Sequence, residues 1–383
     1  MGRAIRRRNA VLSVVVVTFV SAGSLSLGMP ASTAVANTCR ARNVTQDSAV
    51  SSNLQAVIRD AVGGDVIAVR FVCVGNFTIA KSLTLVGGPT ADLSRAVLNA
   101  NGQGQALVVS RAKVTLRNLK ITGGNDPRWH FGAGVTTGAR LLRLKDTAVV
   151  GNTGTGIHNT GTLTLSGSST VSHNTEAGIH NDGDIAPIGA DVTLNGTSTI
   201  TGNSGYGIYG YYSHITLNDS SSVSGNVTDI SMAVFNWEGE LTLNDAASVA
   251  NNVGSQAAIG NYATFTMNDS SSVYGNVTTT WRGGGIYQGS TGSTTMNDSS
   301  SVTGNSSVRS GGGIASDGVV TMNGSSSISG NTADADDNGT GNGGGVWLAC
   351  SATLTGGVDG GNVNDNYLGI ASPIENNIGG PTC

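Results

Sequence analysis

Residues 163–174 read LTLSGSSTVSHN. Near copies follow at 192–203 (VTLNGTSTITGN), 215–226 (ITLNDSSSVSGN), 241–252 (LTLNDAASVANN), 265–276 (FTMNDSSSVYGN), 294–305 (TTMNDSSSVTGN) and 320–331 (VTMNGSSSISGN). An active-site loop would be written once. A phrase written seven times is a structural unit that cannot bury its apolar face alone and must stack on its neighbours. The closing Asn residues 174, 203, 226, 252, 276, 305 and 331 are 29, 23, 26, 24, 29 and 26 apart. A repeat of this length with variable spacing marks a solenoid whose loops differ from rung to rung.

Each phrase alternates as a strand does, with inward positions on either side of an outward Thr: Thr164, Thr193, Thr216, Thr242, Thr266, Thr295 and Thr321. Three residues before the closing Asn stands Val171, Ile200, Val223, Val249, Val273, Val302 or Ile328. A further short strand lies between phrases, at Ile157, Ile179, Ile208, Val234, Ile259, Ile286, Ile314 and Val346, mostly just after a Gly. Three short strands per rung, with like residues at like places, describe a coil. Each strand pairs in parallel with its copies about 4.8 Å above and below. Inward β-branched side chains then form columns, each buried member contributing roughly 1.5–3 kcal/mol before entropy is subtracted. Asn195, Asn218, Asn244, Asn268, Asn297 and Asn323 precede Gly or Asp, a pairing that tolerates the positive φ of a tight corner. Stacked amides can also bond to their copies along the axis. Asp219, Asp245, Asp269 and Asp298 share one corner, which must be splayed, bonded to its own backbone or neutralised by a cation; bonding of each carboxylate to its own turn is the favoured expectation.

The expected fold is all-β, a right-handed parallel β-helix over 81–370. Upstream, SSNLQAVIRDAVGG (51–64) sets Leu54, Val57, Ile58 and Ala61 on one helical face and stops at Gly63 and Gly64. It predicts a capping helix within an N-terminal cap, 37–80, because an open solenoid end would stick to others. A C-terminal cap is expected over 371–383. Arg3, Arg6, Arg7 and Arg8, the apolar stretch from Val11 and the small residues Ala34-Val35-Ala36 read as a signal peptide over 1–36. The expectation is therefore a secreted or cell-surface monomer with no membrane span in its mature chain. In such a compartment an even number of cysteines favours disulfides; the four cysteines allow three pairings, of which Cys39–Cys73 with Cys350–Cys383 is favoured because each would staple one end.

Apolar residues make up 38% of the chain, enough for a core, so the sparse 11% of charged residues does not signal disorder. Charge is also segregated. Residues 37–145 hold 14 Lys/Arg against 5 Asp/Glu, and residues 146–383 hold 2 against 19. The acidic stretch argues against nucleic acid as a partner along most of the coil.

With these repeats the chain resembles bacterial right-handed parallel β-helix proteins of the pectate-lyase-like superfamily, over about residues 50–370. GGGI at 283–286 and 311–314, paired with V-x-G-N, also resembles the repeats of polymorphic outer-membrane proteins, through Gly284, Gly285, Ile286, Val302 and Asn305. The first resemblance implies extended polysaccharides bound along one long face.

The residues suggest where. One place after each inter-phrase Ile or Val comes an outward row: His158, His180, Tyr209, Phe235, Gly260, Tyr287, Ala315 and Trp347. Tyr206, Tyr211, Tyr212, Trp237 and Trp281 are near it in sequence. Such a row serves cross-strand pairing or offers flat platforms to sugars. The candidate carbohydrate contacts are Trp129, Tyr209, Tyr211, Tyr212, Trp237, Tyr287 and Trp347, and the expected partner is an extracellular polysaccharide or cell-surface glycan. The alternative is a polysaccharide lyase or glycoside hydrolase. Its acid–base candidates are Asp182 and Asp184 beside His180, and the Asp126, Arg128, Trp129, His130 loop. Neither group fixes a catalytic residue. No cofactor is required by this reading. DADDNG at 334–339 matches the first half of a calcium loop, with Asp334, Asp336 and Asn338 alternating before Gly339; Gly345 stands where the closing Glu would be.

Overall fold

A computed structural model describes residues 38–88, 95–126, 132–183, 189–229, 231–356, 362–364, 366–368, 372–374 and 378–381. The proposed signal peptide lies outside the described residues. The chain winds as a parallel β-solenoid. One sheet has 13 strands, two have 12 and a short one has 7, and sequence-adjacent strands almost always lie in different sheets. A twelve-residue phrase supplies a strand of the 13-stranded sheet, a corner, a strand of one 12-stranded sheet and the closing Asn. Thr162–Ser166 and Thr170–Ser172 are one such pair. The segment of variable length between phrases carries the strand of the other 12-stranded sheet, such as Ile179–Asp182. From Val227–Thr228 onward it also carries a two-residue strand of the fourth sheet, which the three-strand reading missed. Two residues are too few for alternation to show in sequence.

Register confirms the columns. Val171 lies opposite Ile200, then come Val223, Val249, Val273, Val302 and Ile328, every one fully buried. Ile157, Ile179, Ile208, Val234, Ile259, Ile286, Ile314 and Val346 stack likewise. The Thr row stays half-exposed on the outer surface.

The closing Asn residues do more than turn the chain. They form a buried amide column that starts one rung earlier than the phrases show, at Asn152. Asn252 is typical. Its N–H and Nδ2 both donate to Oδ1 of Asn276 at 3.0 Å, and Nδ2 also donates to the Val223 carbonyl at 3.0 Å. Its own Oδ1 accepts the N–H and Nδ2 of Asn226, both at 3.0 Å. The residue before each Asn takes the left-handed conformation: Gly225 has φ +62°, and His173 and Asn251 each have φ +53°. The Gly that precedes most inter-phrase Ile residues packs on this column. A Cβ at Gly207 would lie 2.5 Å from Val223 and 3.0 Å from the Asn226 amide. G-I and V-x-G-N are thus two halves of one packing constraint, although Ala233 and Ala258 are accommodated in two rungs.

At the other corner Asn218, Asn244, Asn268, Asn297 and Asn323 each donate Nδ2 to the previous Asn at 2.8–2.9 Å. The following Asp residues hold the positive φ, 55–58° at Asp219, Asp245, Asp269 and Asp298. Their carboxylates do not bond to their own turn. Each accepts a backbone N–H from the rung before: Gly196, Asp219, Asp245 and Asp269 donate at 2.6, 2.9, 3.0 and 3.1 Å. Each negative charge is therefore held by a donor one rung away.

At the N-terminal end the helix spans Leu54–Asp60 and is capped by the Asn53 side chain. Leu54, Ile58 and Ala61 enter the same buried cluster as the coil interior, and the helix packs against the first strands. The strand Arg40–Asn43 pairs antiparallel with Val66–Arg70, and Asn366–Leu368 pairs antiparallel with Ser372–Ile374 at the far end. Cys39 and Cys73 are joined. Cys350 is also disulfide-bonded, while Cys383 lies outside the described residues. No described helix is long and apolar enough to cross a membrane.

Asp65 ties this end together. It accepts from Asn43 Nδ2 at 2.6 Å, Gln46 Nε2 at 2.7 Å and the Val62 N–H at 2.8 Å. These bonds, led by that from Asn43, hold its carboxyl below the usual range. A depressed carboxyl stabilises the fold fully above its unfolded pKa, about 3.9, and that contribution is lost as pH falls through the lower folded value. Acid should therefore loosen the N-terminal end, and Asp65→Asn should flatten this part of the pH dependence. Hydrogen exchange at Asn43–Val69 between neutral pH and pH about 3 measures it; equal acid sensitivity in both proteins refutes it.

Candidate functional site

The 12-stranded sheet between phrases carries an aromatic-rich face. Strand alternation turns Ile157, Ile179 and Ile208 inward, so the next residue faces out. His158, His180, Tyr209, Phe235, Gly260, Tyr287, Ala315 and Trp347 lie in register as that outer row. The His158 and His180 rings meet edge-on, 5.3 Å between centroids. His180 touches Tyr209 at 4.7 Å, and Tyr209 stacks on Phe235 at 5.2 Å. The row then bridges its own gap. Met232 is 3% exposed and fills the space above Gly260, where an added Cβ would sit 1.9 Å from its sulfur. Trp237 and Tyr262 carry the rings onward: Phe235–Trp237 is 5.9 Å, Trp237–Tyr262 5.0 Å and Tyr262–Tyr287 5.6 Å. Arg282 then lies over Tyr287 at 5.2 Å and over Trp347 at 4.4 Å. It is fixed by Asp317 at 2.7 Å, which also accepts the Tyr287 hydroxyl at 2.6 Å.

Burial pushes the Tyr209 and Tyr262 hydroxyls up. Burial first, then the bond to Asp317, takes Tyr287 to about 12. Tyr212 is also raised to about 12, chiefly by its hydrogen bond to Glu238. These phenols remain neutral donors and acceptors at physiological pH.

Of the sequence-predicted contacts, Tyr209, Trp237, Tyr287 and Trp347 are joined in this face and half-buried. Tyr211 stands opposite Trp237 in register and packs on Tyr212 at 4.6 Å beside it. Tyr212 is the more open of the two, 40% exposed. Trp129 lies outside the described residues, as do Arg128, His130 and Asp184. Tyr262 was missed, although it stands two residues beyond outward-facing Gly260 and so shares its side. Arg282 was missed for want of any periodic signal.

At one end of the face, His158 and His180 are 6% and 3% exposed, and Asp182 shares their side of the sheet. One ligand-capable atom from each lies within 4.8 Å of the others.

The DADDNG loop closes on itself. Asp334 is 4% exposed and accepts the N–H groups of Gly339 at 3.0 Å and Thr340 at 3.3 Å. Asp336 accepts from Asn338 Nδ2 at 2.7 Å, and Asn338 accepts the Thr340 N–H at 2.9 Å. Calcium there would compete with these internal donors for the same oxygens.

No family model matches the chain, and no curated protein or solved structure compared with it matches either.

Proposed function

We propose that this is a secreted β-solenoid that binds an extended extracellular carbohydrate along its aromatic face. The observation that carries the reading is the succession of rings from His158 to Tyr287, continued to Trp347 by the Arg282 guanidinium, on strands stacked about 4.8 Å apart and so spanning roughly 30 Å. Aromatic bodies with polar tips match a sugar chain, which presents apolar C–H faces rimmed by hydroxyls. Tyr hydroxyls, Asp182, Glu238 and Asp317 supply that polar rim. With 2 Lys/Arg against 19 Asp/Glu over residues 146–383, a neutral glycan suits this stretch better than a polyanion. The resemblance to pectate-lyase-like β-helices supports a long ligand laid along the axis.

Affinity electrophoresis through gels containing neutral polysaccharides tests the proposal. Retardation by at least one polymer is expected, and Tyr209→Ala with Trp347→Ala should weaken it roughly tenfold, about 1.4 kcal/mol. Unchanged retention in the double variant removes the aromatic face from the account. The buried His158–His180 pair beside Asp182 favours one second reading, a polysaccharide-cleaving enzyme. A binder leaves its ligand intact, so new reducing or unsaturated ends after incubation would decide for the enzyme.

A further inference from the structure

We propose that His158, His180 and Asp182 form a site for a divalent transition-metal ion, with zinc the best fit. Three observations converge. The two histidines sit opposite each other in adjacent rungs, on Thr155–Asn159 and Ile179–Asp182, so the sheet itself fixes their separation. Asp182 follows His180 by two residues, and the pleat turns both to the same side. Their ligand-capable atoms gather within 4.8 Å. Two imidazoles bound at about 2.0–2.1 Å to a shared tetrahedral ion have ring centroids roughly 5 Å apart. The observed centroid distance is 5.3 Å, with the planes 85° apart.

The donor set selects the ion. Two imidazole nitrogens and one carboxylate suit zinc or a neighbouring transition metal; calcium and magnesium take oxygen ligands instead. At 6% and 3% exposure both rings are shielded from bulk water. Asp182 is half-exposed, which leaves a route from solvent. Tyr209 packs on His180 at 4.7 Å and limits how far that ring can turn. The site is separate from the DADDNG loop and does not depend on carbohydrate binding.

Tag-free protein, stripped with chelator, is titrated with zinc chloride by calorimetry, and the bound metal is then measured by mass spectrometry. Saturable binding of a single equivalent is expected, with calcium giving no competition. Cobalt in place of zinc should give visible d–d absorption. Asp182→Asn should weaken zinc binding at least roughly tenfold, and His180→Ala should abolish the cobalt spectrum. Circular dichroism confirms the fold of each; if His180→Ala does not fold, half-exposed Asp182→Asn decides alone. Absence of saturable zinc binding, or equal affinity in folded Asp182→Asn, overturns the site and leaves the histidines as aromatic packing.

Discussion

Asn252→Ala will destabilise the coil by about 3–5 kcal/mol, one of the largest effects available to a single substitution here. Asn252 donates twice to Asn276 and once to the Val223 carbonyl, and accepts twice from Asn226. Its backbone N–H survives the change, but loses its acceptor unless Asn276 still presents Oδ1. The Asn226 N–H loses its acceptor outright, and the Asn226 Nδ2 keeps only its bond to main-chain carbonyls such as Ile200, at 3.0 Å. Asn226 is fully buried and Asn252 only 2% exposed, so water cannot easily replace the missing amide. Buried polar groups left without partners cost about 1–3 kcal/mol each. In a solenoid each rung touches only its neighbours, so the damage should be local. Hydrogen exchange should accelerate most around residues 223–277, with a lower urea midpoint. Thr242→Ala, on the half-exposed outer row of the same rung, should stay within about 0.5 kcal/mol. Comparable losses in the two variants would mean that the amide column is incidental to stability.

The second large effect is at the N-terminal end. The Cys39–Cys73 bond closes a sequence separation of 34. In the chain-entropy account such a loop contributes about 3–4 kcal/mol by restricting the unfolded chain. It also pins the segment next to the antiparallel strand Arg40–Asn43 and the helix Leu54–Asp60. Cys39→Ser with Cys73→Ser should therefore lower the unfolding midpoint and open this end first. Solenoid ends are templates for further pairing, so light scattering should rise before the rest of the coil unfolds. The double variant is preferable to a reductant, because Cys350 is bridged as well. Unchanged stability and no association would show that the helix and Asp65 hold the end without the bond.

Much of this was readable from residues. The Val and Ile columns, the outward Thr row and the helix near the N-terminal end follow from periodicity, and periodicity is what apolar burial imposes on a coil. The Asn columns were half-legible: the outer one was read correctly as stacked amides, but the closing Asn residues were read only as the ends of phrases. Their amides are buried, and sequence cannot distinguish a buried Asn from a turn Asn. A third set, where Asn236 donates to Asn261 at 2.7 Å and Asn261 to Gln288 at 2.7 Å, went unseen because its residue type changes. The aromatic row was visible from spacing. How Met232, Tyr262 and Arg282 complete it was not, because they come from segments of variable length, where no register can be carried from one rung to the next. The His158–His180 contact needed only the register; assigning a role to it needed the distance to Asp182.

Across the seven phrases, length varies only in the segments between them. The phrase that builds two of its walls is twelve residues in every copy, while the stretch between Asn331 and Val346 and its counterparts are free to differ. Doubling a flexible loop costs only about 0.6 kcal/mol in closure. Foreign peptides inserted there would ride on a chassis whose phrase-built walls keep their register from residue 163 to residue 331, and several could be displayed in a line, one per turn, beside the rings.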